Sequence, residues 1–437
     1  MNFNHSDTPT FNLKAVVQET GLKPDTLRAW ERRYGLPQPD RSDGGHRLYS
    51  QRDIEILKWL TQRQQEGLSI SRAVELWHRL ESEGQDPLVA VSPTPPATPT
   101  HTAFVPTGET ISDLRQAWVT ACISFAEQQA EQILTQASAL YSPEVVCFEL
   151  LQKGLAEVGQ KWAAGEITVQ QEHFASSLAM RRLEALVAAT PPPTRPGRML
   201  VGCPPEELHT FSLLLATFLL RRHGWEATYL GARIPLTHME ETIESVKPNL
   251  VILGAQQLYT AATLFEMAQT LKEKEVPLAF GGRIFTLLPD LQRHIPGHFL
   301  GDRLDQIPHK VEKILATPYA SPPVKPVPQT SKQALVHYRE NQGLIEAAVW
   351  EQMRSTAIIE VVLTYWNLTT SRNIAAALTL GDINFLGDQV GWGQEMLVNY
   401  SLPEETLHQY LEAYHQAAKA HLNQKGQPIL NWFEQVQ

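Results

Sequence analysis

Three proline-rich breaks constrain this chain more than any other feature. They are residues 91–100 (VSPTPPATPT), residues 190–196 (TPPPTRP) and the stretch 319–330, which holds Pro322, Pro323, Pro326 and Pro328. Proline fixes φ and has no N–H, so none of these stretches can continue a helix or sit inside a sheet. The first reads as a semi-rigid, exposed linker. The breaks divide the 437 residues into four units, 10–82, 108–189, 197–317 and 331–437, with linkers at 83–107 and 318–330. At ordinary domain sizes a chain of this length holds about three or four domains. No repeat of fixed period runs through it.

Composition then excludes several classes. A hydrophobic fraction of 43% is ample for ordinary cores. The net charge of −10 argues against a protein that coats nucleic acid, although it can hide a local basic face. Cys122, Cys147 and Cys203 are far apart and show no zinc spacing, which suits a reduced, intracellular chain. The start, MNFNHSD, lacks the basic-then-apolar pattern of a signal peptide. No run approaches the roughly 20 apolar residues of a membrane helix. The expectation is a soluble, cytoplasmic protein without a membrane partner.

In the first unit, residues 11–21 read as a short helix ended by glycine. Residues 25–34 read as a second helix, with Pro24 suited to its first turn. Two short helices joined by a glycine-containing turn make a helix-turn-helix. The second helix carries Arg28, Arg32 and Arg33 beside Trp30. Residues 41–49 read as a hairpin turning at Gly44 and Gly45, and a further helix runs from about Ser50 to Gln65. Arginines on such a helix reach phosphates and guanine edges, and His46, Arg47 and Tyr49 on the hairpin can touch the flanking backbone. Residues 11–60 hold nine Lys/Arg against seven Asp/Glu, so charge alone favours an ordinary solvated domain. The motif decides more. DTLRAWERRYGL (25–36), GGHRLY (44–49) and DIEIL (53–57) resemble the DNA-binding head of MerR-type transcription regulators. The resemblance implies a winged helix-turn-helix on double-stranded promoter DNA. Thr26, Arg28 and Trp30 would face the DNA, and Arg41, Arg47 and Tyr49 would lie on the wing. Paired half-sites imply at least a dimer on DNA.

The second unit shows four amphipathic runs, about 110–124, 127–140, 143–164 and 168–188. Leu114, Trp118, Cys122 and Phe125 recur at helical spacing, as do Leu151, Leu155, Val158 and Trp162. Short connections between long helices predict an antiparallel four-helix bundle. The turn at 165–168 brings Trp162 and the pair Glu172 and His173 to one end of it. On their own these three read as a core aromatic and a solvated helix start.

The third unit alternates strands and helices. Strands are expected at 199–203, 227–230, 250–254, 277–280 and 298–300, which predicts an α/β doubly wound parallel sheet, Rossmann-like in form. No G-x-G-x-x-G stands in it, so a dinucleotide is not indicated. The loop after the first strand holds Glu207 and His209, at the strand ends where open α/β sheets bind ligands. An imidazole there can ligate a transition metal while a nearby carboxylate orients its other nitrogen. Gly281 and Gly282 after the fourth strand permit close ligand approach.

Together, Glu207-x-His209, Gly281-Gly282 and an upstream bundle with Trp162, Glu172 and His173 resemble the cobalamin-binding module, over about 210 residues. The resemblance implies His209 as the lower cobalt ligand, Glu207 as its orienting partner, and Trp162, Glu172 and His173 as a cap over the upper face. It departs from the pattern at Ser212, where glycine is usual, and at Ala255 and Gln257, where a serine and a leucine are usual. All three positions line the pocket for the cofactor's nucleotide tail in that family. Ser212 narrows a close backbone approach, and Gln257 offers an amide where the serine hydroxyl is lost.

The whole chain resembles cobalamin-dependent MerR-type regulators of the CarH/LitR photoreceptor kind. That implies a homo-oligomer (dimer or tetramer) and a light-sensitive adenosylcobalamin effector, with His173 a candidate to take the upper cobalt position after photolysis. It implies no enzymatic activity. The alternatives are a corrinoid methyl carrier, or a DNA-binding regulator whose module holds another tetrapyrrole or no cofactor. The fourth unit, 331–437, reads as an extra helical domain with Trp366, Trp392 and Trp432 in its core. It shows no catalytic or metal pattern, and its role is open between dimerisation, partner binding and plain packing.

Overall fold

The computed structural model describes residues 8–41, 45–65, 69–82, 86–90, 110–318, 320–354, 356, 358, 360–387, 397, 400 and 402–436. The chain forms two compact units, Met1–Thr107 and Gly108–Gln437. Trp392 and Gly44 lie outside the described residues, as does most of the expected linker 83–107. Within that linker Pro87–Ala90 forms one short helical turn.

The first unit is a helix-turn-helix with a small antiparallel sheet. Its helices are Leu13–Thr20 and Pro24–Tyr34, each closed by a left-handed glycine, Gly21 and Gly35. Gly35 N–H donates to the Glu31 carbonyl, which ends the second helix where its motif does. Three strands follow the order β1 (Phe11–Asn12), β3 (Arg47–Tyr49), β2 (Asp40–Arg41), with Asp40 opposite Leu48 and Arg41 opposite Arg47. The expected helix from residue 11 is corrected. Phe11 and Asn12 pair with Tyr49 and Leu48, and the Asn12 side chain caps the helix by accepting from Ala15 N–H at 2.9 Å. An Asx cap of this kind fixes the first helical residue. Helices Gln51–Gln65 and Ile70–Ser82 complete the unit around Leu27, Trp30, Leu57, Trp59 and Trp77.

The second unit has three layers on one sheet. Among its described residues all five strands are parallel, in the order β5 (Glu226–Gly231), β4 (Arg198–Gly202), β6 (Leu250–Gly254), β7 (Leu278–Gly281), β8 (His298–Phe299). The central strand β6 is buried throughout, as parallel strands covered on both faces must be. Side chains alternate between the faces. Met199, Val201 and Ile252 join one core with Leu213, Ala216 and Leu220 of helix Phe211–Arg222. Leu200, Val251 and Leu253 join another with helix Leu258–Glu273.

Both of these helices are apolar nearly all round, because each is covered on two sides. The outer side of Phe211–Arg222, with Leu214, Leu215, Phe218 and Leu219, enters the core of the helical bundle. The bundle's helices are Ile111–Ile123, Glu127–Leu140, the run 143–163 (with a π-helical stretch at Val146–Gln152) and Val169–Ala188. Capping boxes at Thr110 with Asp113 and at Thr168 with Gln171 set two of its helix starts. Arg222 with Glu144 at 2.9 Å pins the bundle to the sheet layer.

On the opposite face lies a finding the sequence did not give. The helices Gln329–Met353, Glu360–Leu380, Glu405–His421 and Gln427–Val436 do not stand apart as a fourth body. Their core, with Tyr338, Trp366, Ile374, Tyr410 and Tyr414, is continuous with Leu258–Glu273 and the sheet. His294 Nδ1–H, itself buried, donates to the Leu380 carbonyl at 2.7 Å. The expected linker 318–330 is held too: Lys325 N–H donates to the Arg293 carbonyl at 2.9 Å, and its ammonium meets Asp290. The prolines there shape a strap that the sheet layer binds.

Candidate functional site: the strand-end loop and the basic helix

The loop after β4 is organised by one buried carboxylate. Glu207 is 1% exposed. Its Oε1 accepts from Leu208 N–H at 2.9 Å, His209 N–H at 2.8 Å and His209 Nδ1–H at 2.6 Å. Its Oε2 accepts from Gln256 N–H at 2.7 Å and Thr260 Oγ1–H at 2.7 Å. Burial pushes this carboxyl group up, but the hydrogen bonds from the His209 ring, its amide, Gln256 and Thr260 hold it below the usual range. It is therefore an anion with every bond directed. In turn the Glu207 hydrogen bond raises the His209 imidazole above its ordinary value, against the opposing effect of burial.

The consequence for His209 is geometric. With Nδ1 donating to Glu207, Nε2 is the nitrogen left for a ligand. The His209 side chain is 62% exposed, so the ring stands out from the strand ends. The carboxylate–histidine arrangement is the one that orients metal-binding imidazoles and raises their basicity. A single imidazole of this kind suits a metal that arrives with its other ligands, as cobalt does in a corrin.

The neighbouring loops complete a floor. Gly282 has φ 120°, and a Cβ there would overlap the Ala255 carbonyl oxygen, so only glycine fits. Gly281 faces open space, its nearest obstacle the Gly301 carbonyl at 3.9 Å. Gln256 Oε1 accepts from Arg283 N–H at 3.0 Å and joins the loops after β6 and β7. Ala255 is fully buried, which corrects its expected place in the wall of a pocket: its backbone packs under Gly282. Gln257 is exposed, and Ser212 is half-buried at the second position of its helix.

The bundle presents its own residues to this edge. Trp162 is half-buried against the bundle core. Glu172 accepts from Ser176 Oγ–H at 2.6 Å and meets His173 Nδ1 at 2.6 Å, while the His173 side chain is 74% exposed. The Glu172 charge reaches the His209 imidazole, and Thr210 beside His209 lies 3.9 Å from the Met180 sulfur on the same bundle helix. The structure thus brings the loop and the Glu172 end of the bundle together. Reading the sequence missed Gln256, Thr260 and Arg283. Gln256 and Thr260 reach Glu207 across some fifty positions of chain, Arg283 joins through Gln256, and nothing local marks any of them.

In the head, the structure sorts the expected DNA-facing residues. Arg28, Arg32, Arg33, Arg41 and His46 are exposed, and Thr26 is half-buried. Trp30 at 6% and Tyr49 at 1% exposure are core residues, which corrects their expected place on the DNA side. Arg47 is also redirected. Its Nε–H donates to both Glu31 oxygens at 3.0 and 2.9 Å, so it fastens the hairpin to the second helix instead of reaching outward. The cysteines are free and buried, and burial pushes each thiol up to about 12, so they serve as packing.

The MerR HTH family regulatory protein pattern matches residues 11–80, and the B12 binding domain pattern matches 114–187, the helical bundle. The chain is 31% identical over 277 residues to the HTH-type transcriptional repressor CarH of Myxococcus xanthus, covering 62% of this chain and 89% of that protein. It is 30% identical over 247 residues to the repressor CarA of the same organism, covering 56% and 76%. The HTH-type regulator MlrA of Salmonella typhimurium is 42% identical over 73 residues, 17% of this chain and 30% of that protein. No helix among the described residues is long and apolar enough to cross a membrane.

Proposed function

This chain belongs to the family of HTH-type transcriptional regulators that includes CarH and CarA, as a B12-binding member with a MerR-type head, and we propose that it responds to light through adenosylcobalamin. One observation carries the cofactor reading: the buried Glu207 anion engages Nδ1 of the exposed His209 ring, which leaves Nε2 as the nitrogen for a ligand. In this reading His209 is the lower cobalt ligand. Gly281 and Gly282 give the backbone close approach, and Ser212 and Gln257 flank the nucleotide tail. Trp162, Glu172 and His173 cover the upper side. When bound, adenosylcobalamin supplies a cobalt–carbon bond that visible light breaks.

The chain's own part is to convert that loss into movement. In this reading the indole of Trp162 would cover the bound cofactor's adenosyl side and help keep the bundle seated on helix Phe211–Arg222. Loss of that group would leave the bundle end able to shift, and His173, whose side chain is exposed, would be the candidate to take its place. Such a local change can reset contacts between copies of the chain and so its hold on DNA. In the head, Arg28, Arg32 and Arg33 meet bases and phosphates from the second helix. Arg41 and His46 add wing contacts, with Thr26 at the helix start. Pairing of half-sites calls for a homo-oligomer on promoter DNA.

The test is direct. Chain loaded with adenosylcobalamin in the dark is expected to change both its absorption spectrum and its elution volume after green light. Uptake with unchanged traces would reject photosensing and leave a B12-binding regulator. Methyl transfer from a methylated corrinoid would instead support a carrier protein.

A further inference from the structure

We propose that Arg372, on helix Glu360–Leu380, is a positioning residue for the His209 loop. The C-terminal helices are then part of the cofactor site, an inference that rests on the reading of His209 as the cobalt ligand. Three contacts point to it. Glu206, the residue before Glu207, holds φ 69°. This left-handed backbone is unfavourable for a residue with a side chain, so something must hold it. Arg372 Nε lies 3.5 Å from the Glu206 carboxylate. The same guanidinium lies over the Tyr259 ring, 5.4 Å from its centre. Tyr259 in turn precedes Thr260, whose hydroxyl donates to Glu207.

One guanidinium therefore touches both sides of the Glu207 hydrogen-bond set: the loop residue before it and the helix residue before its donor. A planar guanidinium suits this double duty, because it can pair with a carboxylate and stack on a ring. The arm that carries it is anchored without it. Leu363, Trp366, Ile374 and Leu378 of that helix are fully buried, and His294 fixes its end at Leu380. The Arg372 and Glu206 side chains are 42% and 47% exposed. A pair so exposed adds little to global stability, so its removal should loosen the loop and leave the fold standing.

The experiment compares Arg372→Ala, Arg372→Lys, Glu206→Gly and the Glu206→Gly/Arg372→Ala double variant in the full chain. Without cofactor, hydrogen exchange is read at the Leu208, His209 and Gln256 amides, which all donate to Glu207. With hydroxocobalamin added, the readouts are the histidine-ligated absorption spectrum and retention through gel filtration. Arg372→Ala should speed exchange at these amides about three- to tenfold, on the scale of a local opening. It should lower retention by a similar factor while the melting temperature holds. Arg372→Lys should recover part of both, since it keeps charge but not the stacking plane. Glu206→Gly removes one of the two contacts and the backbone demand, so adding Arg372→Ala to it should add a smaller increment than in the wild-type background, the part carried by the Tyr259 ring. Unaltered exchange in Arg372→Ala, or an equal increment in the glycine background, would overturn the proposal. Should the wild-type chain take up no hydroxocobalamin, the ligand reading of His209 falls, while the exchange data still judge Arg372.

Discussion

Helices Phe211–Arg222 and Leu258–Glu273 cover opposite faces of one sheet, and each is itself covered. The first carries the four-helix bundle, with Phe218 and Leu219 in the shared core. The second carries the C-terminal helices, with Leu264 and Met267 in theirs. In packing terms the two sides are alike. They differ in chemistry: the bundle side brings the Glu172 carboxylate within electrostatic reach of His209, whereas the C-terminal side brings one long cation, Arg372. A buried helix thus tells that a partner exists, and the polar residues at the strand edge tell what the partner is for.

The largest expected effects lie in the two cores. Phe218→Ala and Leu264→Ala, at 1% and 0% exposure, should each cost about 2–5 kcal/mol in denaturant unfolding. The comparison sharpens in hydrogen exchange. Phe218→Ala should loosen the bundle first and Leu264→Ala the C-terminal helices first. If Leu264→Ala left those helices as protected as before, the two sides would not be equivalent.

A second break comes where the two sides meet, at the strand ends. Gly282→Ala forces a Cβ onto the Ala255 carbonyl at φ 120°, so it should cost about 1–3 kcal/mol in strain. It should also displace the loop joined by Gln256. Cobalamin uptake should fall with it, and a variant that unfolds and loads like the wild type would remove Gly282 from the site.

The sequence showed these regions unevenly. The central strands β4, β6 and β7 and the four bundle helices are legible because each is buried along its length or long in pattern, and their period is local. Strand β1 is not, because two residues have no period and pair only once the hairpin exists. Trp30 and Tyr49 lie within a DNA-binding motif, yet both are buried in the core of the head, and a pattern of residue types cannot separate a core role from a contact role. Glu207 and His209 are legible because they are two residues apart after a strand. Thr260 and Arg372 reach the same carboxylate loop from far along the chain, and apolar stripes on the C-terminal helices name no docking partner.

The smallest effect is a pH dependence. Glu207 is held low, so its stabilising contribution is present above the usual carboxylate range and is lost as pH falls through its depressed value. His209 is held high, so its contribution is full below about 6.5 and fades as pH rises through its raised value. Ligation runs the other way, because a protonated Nε2 has no lone pair. The histidine-ligated spectrum should therefore grow as pH rises through the raised His209 value. A ligated fraction that stays flat across that range would mean that another atom holds the metal.

The measurement that bears most directly on His209 Nε2 as the cobalt ligand is electron paramagnetic resonance of the chain loaded with cob(II)alamin, with histidine carrying 15N. Nitrogen-14 has nuclear spin 1 and splits each cobalt line into three, while nitrogen-15 has spin 1/2 and splits it into two. The account predicts that the label converts triplets to doublets, and that His209→Ala abolishes the conversion. Triplets that persist in the labelled wild-type chain would contradict it.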